Sequence, residues 1–294
     1  KDGFRYNEFG EFGLKLDIGI YNGIVYIVEQ NIPRKAIGKN NPERADDKNI
    51  IYFFSNGKSG PENDKWVTLD MDREINSISV DSEGNLFATY EGGSLDKYPA
   101  IRMNDMGGYY RPLKGSPYEK SHVLDTEWTK GLSNNPKYTR GIEIDSEDNI
   151  YIVETQNNIV LKLNSYGNII HTFADGNNVS LSPKGIAIDS NDNVYIADKG
   201  NDRVSIYNSA GDYINSIIGG LKPEILTIGI NDNLYIFGHE SGKVQGAKSY
   251  IEKWDKNGNF VEKGEIHFVP KEIESDNSGK IYFLSVWGVH ILDE

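Results

Sequence analysis

Three acidic residues end apolar, alternating segments of the chain. Glu29 ends "IVYIVE", Glu154 ends "IYIVE" and Asp198 ends "VYIAD". Carboxylates that converge from separate segments can hold a hard cation such as Ca²⁺ or Mg²⁺, which requires several oxygen ligands. The sequence therefore offers Glu29, Glu154 and Asp198 as a candidate metal site, and no other cofactor is indicated.

Each of these acids ends the second alternating segment of a unit, and several of the first segments begin with a basic residue. The six aligned first positions are Leu14, Asn76, Arg140, Lys184, Glu224 and Lys271. If acids and bases face the same side, Arg140 can pair with Glu154 and Lys184 with Asp198, each exposed pair contributing ~0–1 kcal/mol. The same residues can instead form a polar recognition site for a ligand, with Arg140, Lys184 and Lys271 as its cations. Ion pairs, a ligand site and a metal site all remain open at this stage.

One histidine has the surroundings of an acid or base. The chain has 5 His, without an HExxH pair, and neither a Gly-x-Ser-x-Gly elbow nor a P-loop is present. His239 precedes Glu240 in an irregular segment and is the candidate. Asp198, Asn201 and Arg203 have a simpler interpretation, because the planar guanidinium can tie one strand to the next through the carboxylate.

Aromatic and basic residues in irregular segments are further candidates for ligand binding. Exposed aromatic faces stack on sugars and anchor protein interfaces, or they pack loops onto the frame. Segment 29–49 is locally basic, which suits an acidic group, although its own acids can equally balance it. The candidates from these segments are Arg34, Lys35, Tyr98, Trp128, Tyr138 and Trp287.

The chain repeats one pattern, which positions all these residues. Two apolar alternations flank a turn of Asp, Ser, Gly and Asn at 16–28, 78–90, 142–154, 186–198, 226–238 and 273–285. Alternation with period two predicts strands, and the polar turn predicts a β-hairpin. The leading acids Asp81, Asp145, Asp189 and Asp276 are expected to accept the amides of their own turns.

Two further alternating segments follow the clearer hairpins, so each unit is predicted to be a four-stranded meander. Six such units predict a single six-bladed β-propeller. The predicted blades span about 13–71, 72–128, 138–176, 182–219, 222–267 and 269–294. Residues 4–12 are predicted to add a fourth strand to the last blade and so close the ring, which removes a free sheet edge.

The run "PKGIAIDSNDNVYIADKGNDRVSIYNSAGDY", residues 183–213, resembles the NHL repeat. The resemblance extends to 139–175 and weakens over the first two units. It implies a six-bladed propeller of the TolB-like and SMP-30-like superfamily. Such propellers include protein-binding and RNA-binding modules, lyases and metal-dependent lactonases, so the resemblance implies no single activity.

Composition narrows the classes of partner. The net charge of −13 disfavours nucleic acid and acidic lipid, since phosphate binding requires a basic face. No run of about 18 apolar residues is present, so no membrane insertion is predicted. The chain has no Cys, which excludes disulfides and thiolate chemistry.

Long insertions predict where a ligand binds. Segments 29–49, 126–139 and 239–249 are expected to share one face of the ring, whereas 103–121 joins a third strand to a fourth. We therefore expect a non-catalytic scaffold that presents this face to a protein or glycan, outside the cell or at its surface. It would be a monomer or a module of a larger protein. The alternative is a divalent-metal-dependent hydrolase or lyase, lactonase-like, with its site at the channel mouth.

Overall fold

The computed structural model describes residues 14–21, 24–30, 49–55, 65–68, 75–90, 93–98, 136, 138–173, 181–240, 248–276, 279–285 and 288–293. Within these ranges the protein is all β, apart from 3-10 turns at Lys199–Asn201 and Ile230–Asp232. The strands form antiparallel sheets, and each sheet follows chain order.

The first three sheets come from the N-terminal half of the chain. Their strands are β1 (Leu14–Tyr21), β2 (Ile24–Gln30), β3 (Asn49–Ser55) and β4 (Lys65–Thr68); then β5 (Ile75–Val80), β6 (Leu86–Tyr90) and β7 (Leu95–Tyr98); then β8 (Thr139–Ile144), β9 (Ile150–Glu154), β10 (Ile159–Leu163) and β11 (Ile169–Phe173).

The remaining sheets come from the C-terminal half. Their strands are β12 (Pro183–Ile188), β13 (Val194–Asp198), β14 (Arg203–Tyr207) and β15 (Tyr213–Ile217); then β16 (Leu221–Ile228), β17 (Leu234–Glu240), β18 (Ser249–Trp254) and β19 (Phe260–Ile266); then β20 (Glu272–Ser275), β21 (Lys280–Ser285) and β22 (Gly288–Asp293).

These sheets are the blades of a β-propeller, but the predicted count of six four-stranded blades is wrong in detail. Four sheets have four strands, whereas β5–β7 and β20–β22 have three each in the described residues. The described chain therefore does not supply four strands to every predicted unit. The strand predicted at residues 4–12 lies outside the described residues, so closure by that strand stays a prediction.

Each predicted hairpin is present. The pairs β1–β2, β5–β6, β8–β9, β12–β13, β16–β17 and β20–β21 are antiparallel. Their first strands contact one another in the order β1, β5, β8, β12, β16, β20 and back to β1. These strands are therefore the inner ones, and they surround the axis.

The core lies between neighbouring sheets, as alternation requires. One cluster joins Val153 and Phe173 of the β8–β11 sheet to Ile186 and Ile196 of the next sheet. Another joins Ala187 and Val204 to Leu226 and Ile236. Because both faces of each middle strand are covered, β9 and β13 are buried throughout. Apolar burial at about 25 cal/mol per Å² is then the main force that holds the blades together.

The hairpin turns are held as the sequence predicts. One carboxylate oxygen of Asp145 accepts the backbone N–H groups of Glu147 and Asn149, at 3.0 and 2.8 Å. Asp81, Asp189 and Asp276 also accept amides of their own turns. The second oxygen of Asp145 accepts the hydroxyl of Tyr151, so the carboxylate ties the turn to the following strand.

Candidate functional site

A cavity of about 640 Å³ lies on the axis and is the candidate functional site. Its walls come from β5, β8, β12, β16 and the segment 267–274 around the start of β20. Isoleucine side chains form part of the wall, and they alternate with charged residues at the strand starts. A concave site with apolar walls and a few converging polar groups is typical of ligand binding.

Three residues that line the cavity, Arg140, Lys184 and Glu224, lie at β-bulges. The pairing of each inner strand with its neighbour shifts register at one point near the strand start. These shifts lie between Ile75 and Ser77, between Thr139 and Gly141, between Pro183 and Ile186, and between Pro223 and Ile225. They contain Asn76, Arg140, Lys184 and Glu224 respectively. A bulge leaves its extra residue outside the regular pairing and redirects the side chain.

Two of the predicted first positions differ in detail from this pattern. The sequence placed Leu14 at the first position of unit 1, but the register shift of β1 lies between Lys15 and Asp17. In the last sheet, Lys271 directly precedes β20 and donates its backbone N–H to the carbonyl of Leu284 at 2.6 Å. Lys271 therefore extends the inner strand by one residue towards the mouth.

Three cations line the cavity mouth. Arg140 and Lys271 are exposed, and Lys184 is half-buried. In the part of the chain that the structure describes, no carboxylate forms an ion pair with any of the three. Unpaired positive charge at one mouth is unexpected in a protein of net charge −13, and it favours an anionic ligand.

The one acid among the bulge residues is already neutralised. A carboxylate oxygen of Glu224 accepts a short hydrogen bond from the ammonium of Lys199, and the Nε2 atom of His239 lies 3.5 Å from the same oxygen. Glu224 therefore compensates Lys199 and leaves the charge of Arg140 and Lys184 largely unbalanced.

The pKa of Lys184 reports this environment. Burial lowers the pKa of Lys184 below its ordinary value of 10.5, and the nearby charges of Arg140 and Lys199 lower it further, while Glu224 offsets part of the shift. Desolvation and like charges both disfavour the ammonium form. An anion bound beside Lys184 would relieve both penalties.

Other acids also line the cavity, two of them further along the inner strands and one directly after Lys271. They are Glu143 on β8 and Glu272 and Glu274 on β20. Each of them already has an interaction of its own.

Glycines allow the inner strands to approach one another beside the mouth. A Cβ atom built on Gly185 would lie 2.7 Å from the carbonyl oxygen of Glu224 and 3.2 Å from the Cα of Ile225. Any side chain at 185 would push β12 away from β16. At Gly141 the nearest atom would be a methyl of Ile186 at 3.4 Å, so that contact is looser.

The acids predicted as metal ligands lie beside the mouth, but two of them are buried among the blades. Glu154 pairs in register with Thr139, and Asp198 with Pro183. Asp198 has no exposed surface, and Glu154 is 5% exposed. Of Glu29 the structure describes the backbone, which pairs with Lys15.

The hydrogen bonds of Asp198 show a structural role. Its carboxylate accepts the Nε–H of Arg203 at 2.9 Å, the side-chain amide of Asn201 at 2.8 Å and the backbone N–H of Ser182 at 2.8 Å. This confirms the predicted guanidinium link between the second and third strands. The Lys184–Asp198 and Arg140–Glu154 ion pairs, one of the alternatives left open by the sequence, do not form between these described residues: Asp198 pairs with Arg203, and Glu154 accepts from Asn157 at 3.0 Å. Among the described residues, no group of three His, Asp or Glu side chains is close enough to hold a metal ion.

His239 connects two strands beside the mouth. It is half-buried, its Nδ1 atom lies 3.1 Å from the hydroxyl oxygen of Ser249, and its Nε2 atom faces Glu224. The neighbouring ring of Phe237 contacts it edge-on. The imidazole hydrogen-bonds to a hydroxyl and lies near a carboxylate, so His239 keeps the role of candidate acid or base.

Of the remaining ligand-binding candidates, the two that the structure describes are not among the residues that line the cavity. Tyr98 is 6% exposed, and its hydroxyl hydrogen-bonds with that of Tyr90 at 2.7 Å. It is therefore a core residue with little surface for a ligand. Tyr138 is 54% exposed, adopts a positive φ of 51°, and lies two residues before Arg140. Arg34, Lys35, Trp128 and Trp287 lie outside the described residues.

Sequence reasoning missed the bulges and the Lys199–Glu224 pair. The run 267–270 was also missed, although His267, Phe268, Val269 and Pro270 line the cavity. A signal for it was present, because "PK" precedes β20 as it precedes Gly185 in β12.

Comparisons with known proteins agree on the fold. The NHL repeat pattern matches residues 181–207, and no curated protein matches the chain in sequence. A catalytically inactive virginiamycin B lyase from Staphylococcus aureus, solved with quinupristin, is similar in structure. Its TM-score is 0.61 at 13% identity, over 99% of this chain and 86% of that chain.

Two further solved structures are similar over most of the chain. The WD40 β-propeller domain of Doa1 has a TM-score of 0.58 at 11% identity, over 94% of this chain and 78% of that chain. A putative gluconolactonase has a TM-score of 0.55 at 9% identity, over 96% of this chain and 89% of that chain. At these identities the likeness shows the fold alone. No helix in the described ranges is long and apolar enough to span a membrane. The chain is a β-propeller that contains an NHL repeat.

Proposed function

We propose that the protein is a binding propeller whose axial cavity receives an acidic group of a protein or glycan ligand. One observation carries the proposal: Arg140, Lys184 and Lys271 come from three separate inner strands to one cavity mouth, where the described chain gives them no ion-pair partner. Burial lowers the pKa of Lys184, so a bound anion restores favourable interactions that the free site lacks.

The topology places the long insertions at the same end of the sheets as the cavity mouth. Segments 29–49 and 239–249 join second strands to third strands, and 126–139 leads into β8. Glu240 and Thr139 are described strand ends at two of these junctions. Glu240 pairs with Leu221, the first residue of the inner strand β16, and Thr139 is the first residue of the inner strand β8 and pairs with Glu154. Both therefore lie at the mouth end of their sheets. The ligand-binding role of Arg34, Lys35, Trp128, Tyr138 and Trp287, and a location outside the cell or at its surface, are part of this proposal.

A glycan array tests this function, with sulfated, uronate-containing and neutral glycans side by side. The expected result is binding of acidic glycans that is lost in the Arg140→Ala/Lys184→Ala variant and kept in Lys256→Ala, whose side chain is exposed in an outer turn. If acidic glycans do not bind, affinity capture of acidic peptides by the two variants tests the protein ligand. Equal retention by both variants would contradict the proposal.

A second candidate function is a divalent-metal-dependent hydrolase or lyase at the same mouth. The Ser249–His239–Glu224 series favours it, since it can transfer a proton beside the cavity, and two of the structural neighbours are a lyase and a putative gluconolactonase. This function predicts that Ca²⁺ or Mg²⁺ raises the melting temperature and that Glu154→Gln removes the increase. It also predicts lactone hydrolysis that is lost in His239→Ala.

A further inference from the structure

The three mouth cations are not equivalent in position. The inner strands follow one another around the axis as β1, β5, β8, β12, β16 and β20. Arg140 on β8 and Lys184 on β12 are therefore neighbours, whereas Lys271 precedes β20, which is three places from β8. Lys271 lies across the cavity from Arg140.

An acid separates the two cationic sides. On the way from β12 to β20 the ring passes β16, which contributes Glu224. Glu224 is held by Lys199 and lies near His239, so the ring position between Lys184 and Lys271 offers no positive charge of its own to a ligand. A single small anion between Lys184 and Lys271 would lie beside this carboxylate. Two separated anionic groups avoid it.

Apolar side chains form part of the wall between the two sides, beside the lining acids Glu143, Glu272 and Glu274, each of which already has an interaction of its own. Ile142, Ile186, Ile225 and Phe268 all line the cavity. Phe268 is fixed in place, because its ring stacks on that of His290 at 4.1 Å between centroids. Apolar walls between two cationic ends suit a ligand with an apolar or neutral spacer between two acidic groups.

We infer that the cavity binds a dianion in which an uncharged spacer separates two carboxylate-type groups, one held by Arg140 and Lys184 and the other by Lys271. This inference rests on the proposed function and adds its ligand class. The first group binds at the half-buried, more positive side, where desolvation strengthens the interaction with the ammonium. The second group binds at the exposed Lys271, whose contribution is smaller because water and salt screen it.

Calorimetric titration with carboxylates of defined length tests the inference. The probes are the α,ω-dicarboxylates from succinate to suberate, each compared with the monocarboxylate of the same carbon number. The wild type is expected to bind one intermediate dicarboxylate about fivefold more tightly than its monocarboxylate partner. Shorter and longer dicarboxylates are expected to lose this advantage, because their ends do not reach both sides.

Variants assign the two ends. Lys271→Ala is expected to reduce dicarboxylate affinity to the monocarboxylate level while monocarboxylate binding stays unchanged. Lys184→Met is expected to weaken both classes, and Lys256→Ala to weaken neither. Thermal unfolding of each variant ensures that altered binding is not caused by lost structure.

The outcomes separate this inference from the proposed function. If monocarboxylates bind as tightly as every dicarboxylate, and Lys271→Ala changes neither, the two-sided site is wrong while the anion-binding function stands. If no carboxylate binds to the wild type, but acidic glycans still bind through Lys184, the inference is again overturned and the function stands. If carboxylates, acidic glycans and acidic peptides all fail to bind, both are overturned.

Discussion

Ser146 and Asp192 join the turns of neighbouring blades. The backbone N–H and the hydroxyl of Ser146 both donate to the carboxylate of Asp192, at 3.0 and 2.7 Å, across 46 residues of chain. The same double hydrogen bond links Ser82 to Asp148 and Ser190 to Asp232. Successive hairpin turns are therefore tied together on the face opposite the cavity mouth.

The accepting residue occupies an unusual backbone conformation. Asp148, Asp192 and Asp232 have φ values of 61°, 61° and 58°. Glycine stands at this turn position in two other units, as Gly84 and Gly279, with φ of 84° and 86°. Aspartate tolerates the left-handed region better than most residues. Aspartate stands at this position in the three units in which the preceding unit offers a serine, and it accepts both hydrogen bonds of that serine.

The Ser146–Asp192 contact predicts a measurable coupling between blades. In a double-mutant cycle of Ser146→Ala and Asp192→Gly, each single variant is expected to lose about 1 kcal/mol of unfolding free energy, and the double variant less than their sum. Glycine keeps the positive φ, so the cycle isolates the hydrogen bonds. Chemical denaturation measures it, and strictly additive losses would show that the two residues act independently.

Gly185 predicts a steric limit at the β12–β16 junction. Gly185→Ala is expected to lower the unfolding free energy by about 1–3 kcal/mol, since the new methyl group would overlap the backbone of Glu224. Gly141→Ala is the matched control, because its methyl group would meet a side chain at ordinary contact distance, and a smaller loss is expected. Equal losses in denaturant unfolding would contradict the proposed close approach.

Substitution of Asp198 is expected to reduce the stability of the protein strongly, even in the absence of a ligand. Asp198→Asn removes the charge that pairs with Arg203 inside the blade, and one-sided loss of a buried pair costs about 3–5 kcal/mol. A marked fall in melting temperature is expected. Asp212→Asn is the control, since that exposed carboxylate accepts one hydrogen bond from Asn208 in an outer turn. A variant as stable as the wild type would remove the structural role of Asp198.

Lys184 predicts how anion binding depends on pH. Its pKa in the free protein is below 10.5, so Lys184 loses its proton at a lower pH than an ordinary lysine. A bound anion favours the ammonium and raises that pKa. Affinity is therefore expected to be constant below the depressed pKa and to fall by up to about tenfold per pH unit as pH rises from that pKa towards the pKa of the complex.

Lys184→Arg separates this titration from the other charges near Lys184, which are Arg140, Lys199 and Glu224. Arginine stays charged above pH 12, so the variant is expected to keep its affinity over the range in which the wild type loses it. Titration calorimetry with a dicarboxylate between pH 7 and 10 measures both proteins. The same decline in both would assign the pH dependence to another group.

The hairpins of the propeller were predicted well, because each hairpin is determined by residues that are close together in the sequence. Each hairpin depends on two short alternations and on a turn acid such as Asp145, all within about a dozen residues. The complete blade count was not predictable in the same way, because it depends on pairing between distant parts of the chain. The insertions in the first two units also removed the regular spacing that made β12–β15 easy to recognise.

The site was predicted in part. Aligning the units placed Arg140, Lys184 and Lys271 together, and the cavity lining agrees. The partners of the acids were wrong, because alignment gives a position along a strand but not the face on which a side chain lies. A one-residue bulge changes that face. Asp198 and Lys184 therefore lie close in register and yet point into different environments.

The bulges have a consequence for how such a ring changes over time. Residues 76, 140, 184 and 224 lie where the ladder is interrupted, so their identities are not dictated by the strand pairing, although Asn76 and Glu224 each bond to a neighbouring blade. Asparagine, arginine, lysine and glutamate occupy equivalent places in one chain. Substitution there can exchange one specificity for another while the folding of the surrounding scaffold continues unaltered, which makes the rim an evolvable part of a conservative architecture.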